Sequence, residues 1–158
     1  MRMSVVTALI VTGLPAVSLA MDEHVATQPD ALKWTAAPPA LPPGSEIAVL
    51  NGDPGSEGLF VVRLRTPANY KVPPHTHPTD ESITVISGAF HIGMGDKFDS
   101  AKGEAASPGG FFHMPKGMQH YAWSTGPTII QIHGMGPFVI DYVNPEDDPR
   151  KAATTGTK

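Results

Sequence analysis

Hydrophobic and polar residues alternate along several short stretches of this 158-residue chain. In the clearest stretch, 59–65, Phe60, Val62 and Leu64 fall on one face while arginines fall on the other. Side chains of a β-strand point alternately to its two faces, so this pattern predicts a half-buried strand. Further short strands are predicted at 46–50, 83–86, 89–94, 111–114, 119–123, 128–133 and 138–142.

Glycine and proline separate these stretches, and no segment shows a helical period. The chain has 17 prolines and 16 glycines, which interrupt strands rather than extend helices. Many short strands with frequent turns are typical of an antiparallel barrel or sandwich. The predicted fold class is therefore all-β, with one domain at residues 45–143.

The two ends of the chain have a different character. Residues 1–20 combine an early arginine, an apolar run and small residues at 18 and 20, which predicts a cleaved signal peptide. The alternative is a membrane anchor, but a spanning helix needs about 20 apolar residues and this run is shorter. Residues 21–44 form a leader rich in proline and alanine, in which Trp34 is expected to dock on the domain or on a second subunit. Residues 144–158 are predicted to be a polar, exposed tail.

Composition narrows the functional class. The chain contains no cysteine, which removes disulfides and thiolate chemistry. Its formal net charge of −4 argues against nucleic acid or an anionic membrane as a partner. With the predicted signal peptide, the sequence indicates a secreted or periplasmic protein that has no membrane segment in its mature form.

Two segments carry the candidate chemistry. The first, PPHTHPTDESITVISG at 73–88, places His75 and His77 one residue apart in an extended segment, so both imidazoles lie on one face. Glu81 can add an oxygen ligand if the intervening turn brings the chain back. The second segment, GGFFHMPKGMQHYAWS at 109–124, offers His120 just after a tight turn.

These two segments resemble the two sequence motifs of the cupin superfamily. The motif positions are occupied by His75, His77, Glu81 and Gly88 in the first segment and by Gly109, Pro115, Gly117 and His120 in the second. The leading glycine of the first motif is replaced by Asn69, and the closing asparagine of the second by Ser124. The resemblance implies a single cupin barrel, also called a jelly roll or double-stranded β-helix. It further implies a mononuclear metal site of His75, His77, Glu81 and His120.

Three imidazoles and one carboxylate suit one divalent transition metal ion, namely Fe, Mn, Ni, Cu, Co or Zn. Four protein ligands on an ion that prefers six leave two positions open for water, dioxygen or substrate. Glu81 has an alternative role as a catalytic general base.

Four other residues are candidates for substrate binding. Gln131 and His133 share one face of a predicted strand, and they face either the metal cavity or the surface according to its register. Met94 and Phe112 are expected to line the barrel and to form part of the pocket wall.

The leading functional hypothesis is a metal-dependent oxidoreductase, dioxygenase-like, that acts on a small organic substrate. A non-redox cupin isomerase or lyase is an alternative. A non-catalytic cupin that binds a small molecule or the metal itself is a second alternative from a different class. A homodimer is expected from the resemblance.

Overall fold

The computed structural model describes residues 24–154, and the predicted signal peptide at 1–20 lies outside them. Within this range the strands are β1 (Thr35–Ala36), β2 (Glu46–Asn51), β3 (Gly58–Thr66), β4 (Lys71–Thr76), β5 (Glu81–Ser87), β6 (Phe90–Met94), β7 (Glu104–Ala106), β8 (Phe111–Met114), β9 (His120–Ser124), β10 (Thr128–Gly136) and β11 (Asp141–Tyr142). The helical segments are two 3-10 turns, Pro29–Ala31 and Pro145–Asp147, and one helix, α1 (Pro149–Thr154).

The strands form two antiparallel sheets. One sheet has six strands in the order β1-β2-β3-β10-β5-β8, and the other has five in the order β11-β4-β9-β6-β7. Buried side chains from both sheets form one core, and they include Phe60, Val62, Leu64, Val72, Ile83, Val85, Phe90, Ile92, Ala122, Ile130 and Ile132. This arrangement confirms the predicted all-β jelly roll.

The sequence pattern did not identify β4 as a strand, because its sequence KVPPHT contains two prolines. Proline lacks the N–H that a sheet needs, so it is confined to edges and irregular positions. The pairing of β4 with β9 shifts register between Val72 and His75, which is where both prolines lie. His75, the first histidine of the H-x-H pair, therefore lies in β4, which pairs with β9 on both sides of this register shift.

The leader packs against the barrel of its own chain. Strand β1 pairs with β2, and the Arg65 guanidinium lies 4.5 Å from the centre of the Trp34 ring. The Tyr142 hydroxyl donates to the Ala40 carbonyl at 2.8 Å, and the Tyr70 hydroxyl donates to the Pro42 carbonyl at 2.7 Å. Hydrogen bonds thus attach the leader to the domain at the residues on both sides of Leu41.

The C-terminal segment has more local structure than the predicted polar tail. Asn144 caps the 3-10 turn by accepting a hydrogen bond from the Glu146 N–H, and α1 follows. The Arg150 guanidinium also donates to the Ile140 carbonyl at 3.1 Å, which connects this segment to the domain. None of the helices in residues 24–154 combines the length and apolar character that crossing a bilayer requires.

Candidate metal centre

The four residues of the two motifs meet inside the barrel. His75 lies on β4 directly opposite His120 on β9, and Glu81 begins β5. His77 follows β4, where the chain turns toward β5. All four side chains are buried, with at most 4% of their surface exposed. The structure thus brings together all four residues that the resemblance implies.

Backbone carbonyls fix the orientation of each imidazole. The Nδ1 atoms of His75, His77 and His120 lie 2.7, 2.7 and 2.9 Å from the carbonyl oxygens of Pro73, Val139 and Met118 respectively. A carbonyl only accepts hydrogen bonds, so each Nδ1 carries a proton, and in the neutral ring each Nε2 keeps its lone pair. Hydrogen bonds of this kind from Nδ1 hold histidine rings in the orientation that presents Nε2 to a metal.

The inward-facing atoms lack other partners. The ligand nitrogens of the three histidines lie within 4.8 Å of one another. The Glu81 Oε2 atom lies 3.5 Å from the His77 Nε2 and 3.4 Å from the His120 Nε2. Both His77 Nε2 and Glu81 Oε2 are buried without a hydrogen-bond partner. Unpartnered buried polar atoms are costly, and a cation held between them would satisfy them. The donor set therefore fits a divalent transition metal.

The electrostatics of the cluster favour a cation. Burial and the neighbouring imidazoles of His120 and His77 lower the pKa of His75 to about 3, so this ring stays neutral and able to bind a metal. Burial raises the pKa of Glu81, but His120 and His77 outweigh burial and hold that pKa below its ordinary range. Burial lowers the pKa of His77, but the Glu81 carboxylate reverses this and raises that pKa overall. Metal binding would displace the proton that His77 and Glu81 stabilise between them.

The space around the cluster is small and apolar. A cavity of about 40 Å³ lies at the four polar residues, and apolar side chains from both sheets, from the leader and from the segment between β10 and β11 form its other walls. Phe138 is one of these, and its ring stacks on His77 with the centroids 4.4 Å apart. The cluster is therefore shielded from bulk water.

Gln131 and His133, which are predicted to bind substrate if they face the metal cavity, do not face it. On β10, Ile130 and Ile132 are buried and line the metal cavity, so Gln131 and His133 point to the opposite face of the sheet. Gln131 accepts a hydrogen bond from the Arg63 Nε at 3.2 Å on that outer face. The alternation of β10 allowed both registers, and only packing against the second sheet decides between them.

Met94 and Phe112 are also absent from the wall of the metal cavity. Met94 pairs with His120 across β6 and β9, but it lies at the end of its strand and is 52% exposed. Phe112 is half-buried and packs against the core. Phe112 is thus part of the barrel lining, as expected, without reaching the four polar residues.

Leu41, Phe138 and Ile140 line the metal cavity and were not predicted. Leu41 belongs to the leader, which shows no strand or helix pattern in the sequence. Phe138 and Ile140 lie between β10 and β11, where the sequence suggests a strand but not its position over the metal. No signal of periodicity or spacing could have identified these residues.

A two-sheet jelly roll that encloses three histidines and a glutamate defines the class of this protein, which is a cupin with a candidate metal site. Comparison with known families then places it further. The family profile described as the ChrR cupin-like domain matches residues 22–139, so the chain belongs to that family.

Individual relatives are more distant. Germin-like protein 9-2 of Oryza sativa subsp. japonica is 32% identical over 83 residues, which are 52% of this chain and 37% of the rice protein. The chain therefore matches little more than a third of the length of that relative.

Two solved structures share the fold. The polyketide cyclase RemF from Streptomyces resistomycificus aligns with a TM-score of 0.62 and 18% identity, covering 84% of this chain and 94% of RemF. A protein assigned as an acetylacetone dioxygenase from Methylibium petroleiphilum PM1 aligns with a TM-score of 0.61 and 17% identity, covering 88% and 98%. At these identities the likeness shows the fold alone.

Proposed function

We propose that this protein is an exported, metal-dependent cupin enzyme of the oxidoreductase class, dioxygenase-like, acting on a small organic molecule. One divalent transition metal would be held by His75, His77, His120 and Glu81. The observation that carries the proposal is the pair of buried, unpartnered atoms, His77 Nε2 and Glu81 Oε2, which face each other within a set of converging imidazoles. Such an arrangement is costly without a cation.

Each part of the site has a role in this chemistry. When bound, the metal supplies Lewis acidity and, if it is redox-active, a centre for activating dioxygen. The three imidazoles present their Nε2 lone pairs in fixed directions, because their Nδ1 protons are held by backbone carbonyls. The apolar walls exclude water and strengthen every electrostatic interaction inside the cavity.

Glu81 has two roles open to it. Its lowered pKa keeps the carboxylate ionised at neutral pH, which suits a metal ligand, whereas the same lowering makes it a weaker general base toward a substrate. A Glu81→Gln variant separates these roles. A ligand role predicts weaker metal binding, whereas a role as general base predicts wild-type metal content and loss of turnover.

The test of the proposal begins with elemental analysis of the exported protein, combined with electron paramagnetic resonance in the absence and presence of dioxygen. We expect about one ion of iron, manganese, copper or nickel per chain, with a spectrum that changes when oxygen or a substrate is added. Full activity of a metal-free preparation would overturn the proposal. Stoichiometric zinc would direct attention to isomerase or lyase chemistry, which also uses Lewis acidity.

The size of the metal cavity supports a second candidate, a non-catalytic cupin that binds the metal or a small ligand. The cavity of about 40 Å³ leaves little room beside the ion. Stoichiometric uptake without turnover, measured by calorimetry together with product analysis, would favour this candidate over the enzyme.

Export and assembly as a homodimer are also part of the proposal. Export is supported by the signal-like sequence at 1–20, and N-terminal sequencing of the exported protein should find cleavage after Ala20. The leader packs on its own chain, so it does not by itself support a dimer. Light scattering coupled to size-exclusion chromatography would measure the mass in solution and decide the oligomeric state.

A further inference from the structure

A larger cavity adjoins the metal cavity on the side of the leader. Its volume is about 230 Å³, which is below the roughly 300–1,000 Å³ of pockets for drug-sized ligands. Five residues line both cavities, namely Leu41, Leu64, Ile132, Phe138 and Ile140. We call this larger cavity the apolar chamber. It lies beside the metal cavity, and residues of the leader form part of its wall.

Among residues 24–154, those that form the walls of the apolar chamber include no polar side chain. The residues that line it are Pro38, Ala40, Leu41, Ile47, Pro54, Gly55, Val62, Leu64, Ile132, Phe138 and Ile140. A charged group placed against these walls would lose its hydration without gaining a partner. A molecule bound in the chamber can therefore find partners for its own polar atoms at the metal centre.

Hydrogen bonds on both sides of Leu41 hold the chamber in shape. The carbonyls of Ala40 and Pro42 accept from Tyr142 and Tyr70, and the Leu41 N–H donates to the Pro38 carbonyl at 2.9 Å. On the opposite wall the Phe138 N–H donates to the Pro54 carbonyl at 2.7 Å. A preformed cavity binds a ligand without first ordering its walls, which favours affinity.

We propose that the apolar chamber is the substrate subsite, and that it takes the hydrocarbon part of a small molecule whose oxygen atoms reach the metal. The substrate class is a small molecule, uncharged outside its chelating group. Leu41 and Phe138 stand at the junction between the chamber and the metal cavity, so they determine which shapes can reach the metal. This inference rests on the proposed function, because it requires a metal at the histidines.

The test uses two probes that differ at one end. Heptane-2,4-dione and 4,6-dioxoheptanoate share the same diketone, but the second has a carboxylate where the first has a terminal methyl group. Calorimetric titration of the zinc-loaded full chain should show binding of the uncharged probe, and binding of the charged probe should be at least about tenfold weaker because its carboxylate would be desolvated. Toluene, which cannot chelate, should bind the metal-free protein, because it needs only the apolar walls.

Two variants on β2 provide a matched pair. Ile47 lines the chamber, whereas Val49 on the same strand is 53% exposed and is not part of its wall. Ile47→Phe should fill part of the chamber and weaken binding of heptane-2,4-dione and toluene by about tenfold or more. Val49→Phe should leave both affinities unchanged. Circular dichroism and zinc stoichiometry verify that each variant is folded and retains its site.

The outcomes separate this inference from the proposed function. Equal affinity for the two diketones, or unchanged toluene binding in a folded Ile47→Phe variant, would overturn the chamber assignment while leaving the metal site intact. Absence of stoichiometric metal together with toluene binding would overturn the proposed function, and it would reduce the chamber to an apolar site without chemistry.

Discussion

Strand β9 separates two buried clusters of ring side chains with opposite properties. On its inner face His120 joins the other imidazoles of the metal centre, whose ligand nitrogens lie within 4.8 Å of one another, and the Nε2 atom of His77 there lacks a hydrogen-bond partner. On its outer face Tyr121 and Trp123 form an aromatic cluster with Phe98 and His91. Here the rings stack: the centroids of His91 and Trp123 are 4.8 Å apart, with an angle of 12° between the planes.

The difference shows which feature identifies a site. Burial alone does not identify a site, because Tyr121 is fully buried and Trp123 is only 7% exposed, and both belong to the aromatic cluster. A single nitrogen without a hydrogen bond does not identify a site either, because the Nε2 atom of His91 in the aromatic cluster also lacks one. In the part of the chain that the structure describes, only the inner histidines bring several ligand atoms within 4.8 Å of one another. Convergence of donor atoms therefore distinguishes the metal centre from the aromatic cluster.

The strongest test of this contrast compares two histidines. His77→Ala removes an inward-facing imidazole and should lower metal affinity by more than about a hundredfold, since even the loss of a group that only hydrogen-bonds to a ligand costs roughly 10–100-fold. His133→Ala, on the outer face of the other sheet, should bind metal as the wild type does. Metal competition assays measure both affinities. Undiminished affinity in His77→Ala would show that the convergence of imidazoles does not make the metal site.

A glycine substitution tests the aromatic cluster. A Cβ at Gly93 would collide with the ring of Tyr121, which is buried and cannot move aside. Gly93→Ala should lower the free energy of unfolding by about 3 kcal/mol, at the upper end for overpacking. Gly126→Ala is the control, because its Cβ meets nothing within 4 Å. Urea unfolding measures both variants. If Gly93→Ala is as stable as Gly126→Ala, the aromatic cluster is not tightly packed.

Acid should act on the inner cluster. The pKa of His75 falls from 6.5 to about 3 on folding, so below pH 6.5 the unfolded chain binds a proton that the folded chain does not. The free energy of unfolding of the metal-free protein should therefore decrease as pH falls from 6.5 toward 4.5, with a contribution from His75 of roughly 2 kcal/mol. The raised pKa of His77 acts in the opposite direction, because its stabilising contribution is present below pH 6.5 and is lost as pH rises.

A variant isolates the contribution of His75. His75→Asn keeps a side-chain N–H that can donate to the Pro73 carbonyl but cannot titrate, so the loss of stability between pH 6.5 and 4.5 should become smaller. Urea unfolding of both metal-free proteins at several pH values measures the change. An unchanged slope in His75→Asn would assign the acid sensitivity to other groups. Glu81, with a lowered pKa, adds its own loss only as pH falls below about its ordinary 4.5.

The fold and the four candidate metal ligands could be predicted because both predictions rest on local patterns. Alternation located the core strands, and the spacing of His75, His77, Glu81 and His120 located the ligands through a family resemblance. The same alternation could not place Gln131 and His133, because it does not show which of the two faces of β10 turns toward the second sheet. The structure resolves this by burying Ile130 and Ile132.

The apolar chamber was beyond prediction for a different reason. Its walls come from two stretches of the chain: residues 38–64, which include the leader, β2 and β3, and residues 132–140, which include part of β10 and the segment after it. These two stretches are far apart in the sequence. Leu41 carries no periodic signal, and its position depends on hydrogen bonds from Tyr70 and Tyr142 to neighbouring carbonyls. Contacts of this kind are set by tertiary packing, which a local pattern does not encode.

The smallest expected effect tests whether the two faces of β9 are independent. Tyr121→Phe keeps the ring stacked near Trp123 and removes only the hydroxyl, which donates to the Asp99 carbonyl at 2.8 Å. Loss of one such hydrogen bond should lower the free energy of unfolding by about 1 kcal/mol. Metal affinity should stay at the wild-type value, because His120 is oriented by the Met118 carbonyl and not by Tyr121. A fall in metal affinity of about tenfold in the folded variant would show instead that the aromatic cluster positions His120, and the two faces would then form one functional unit.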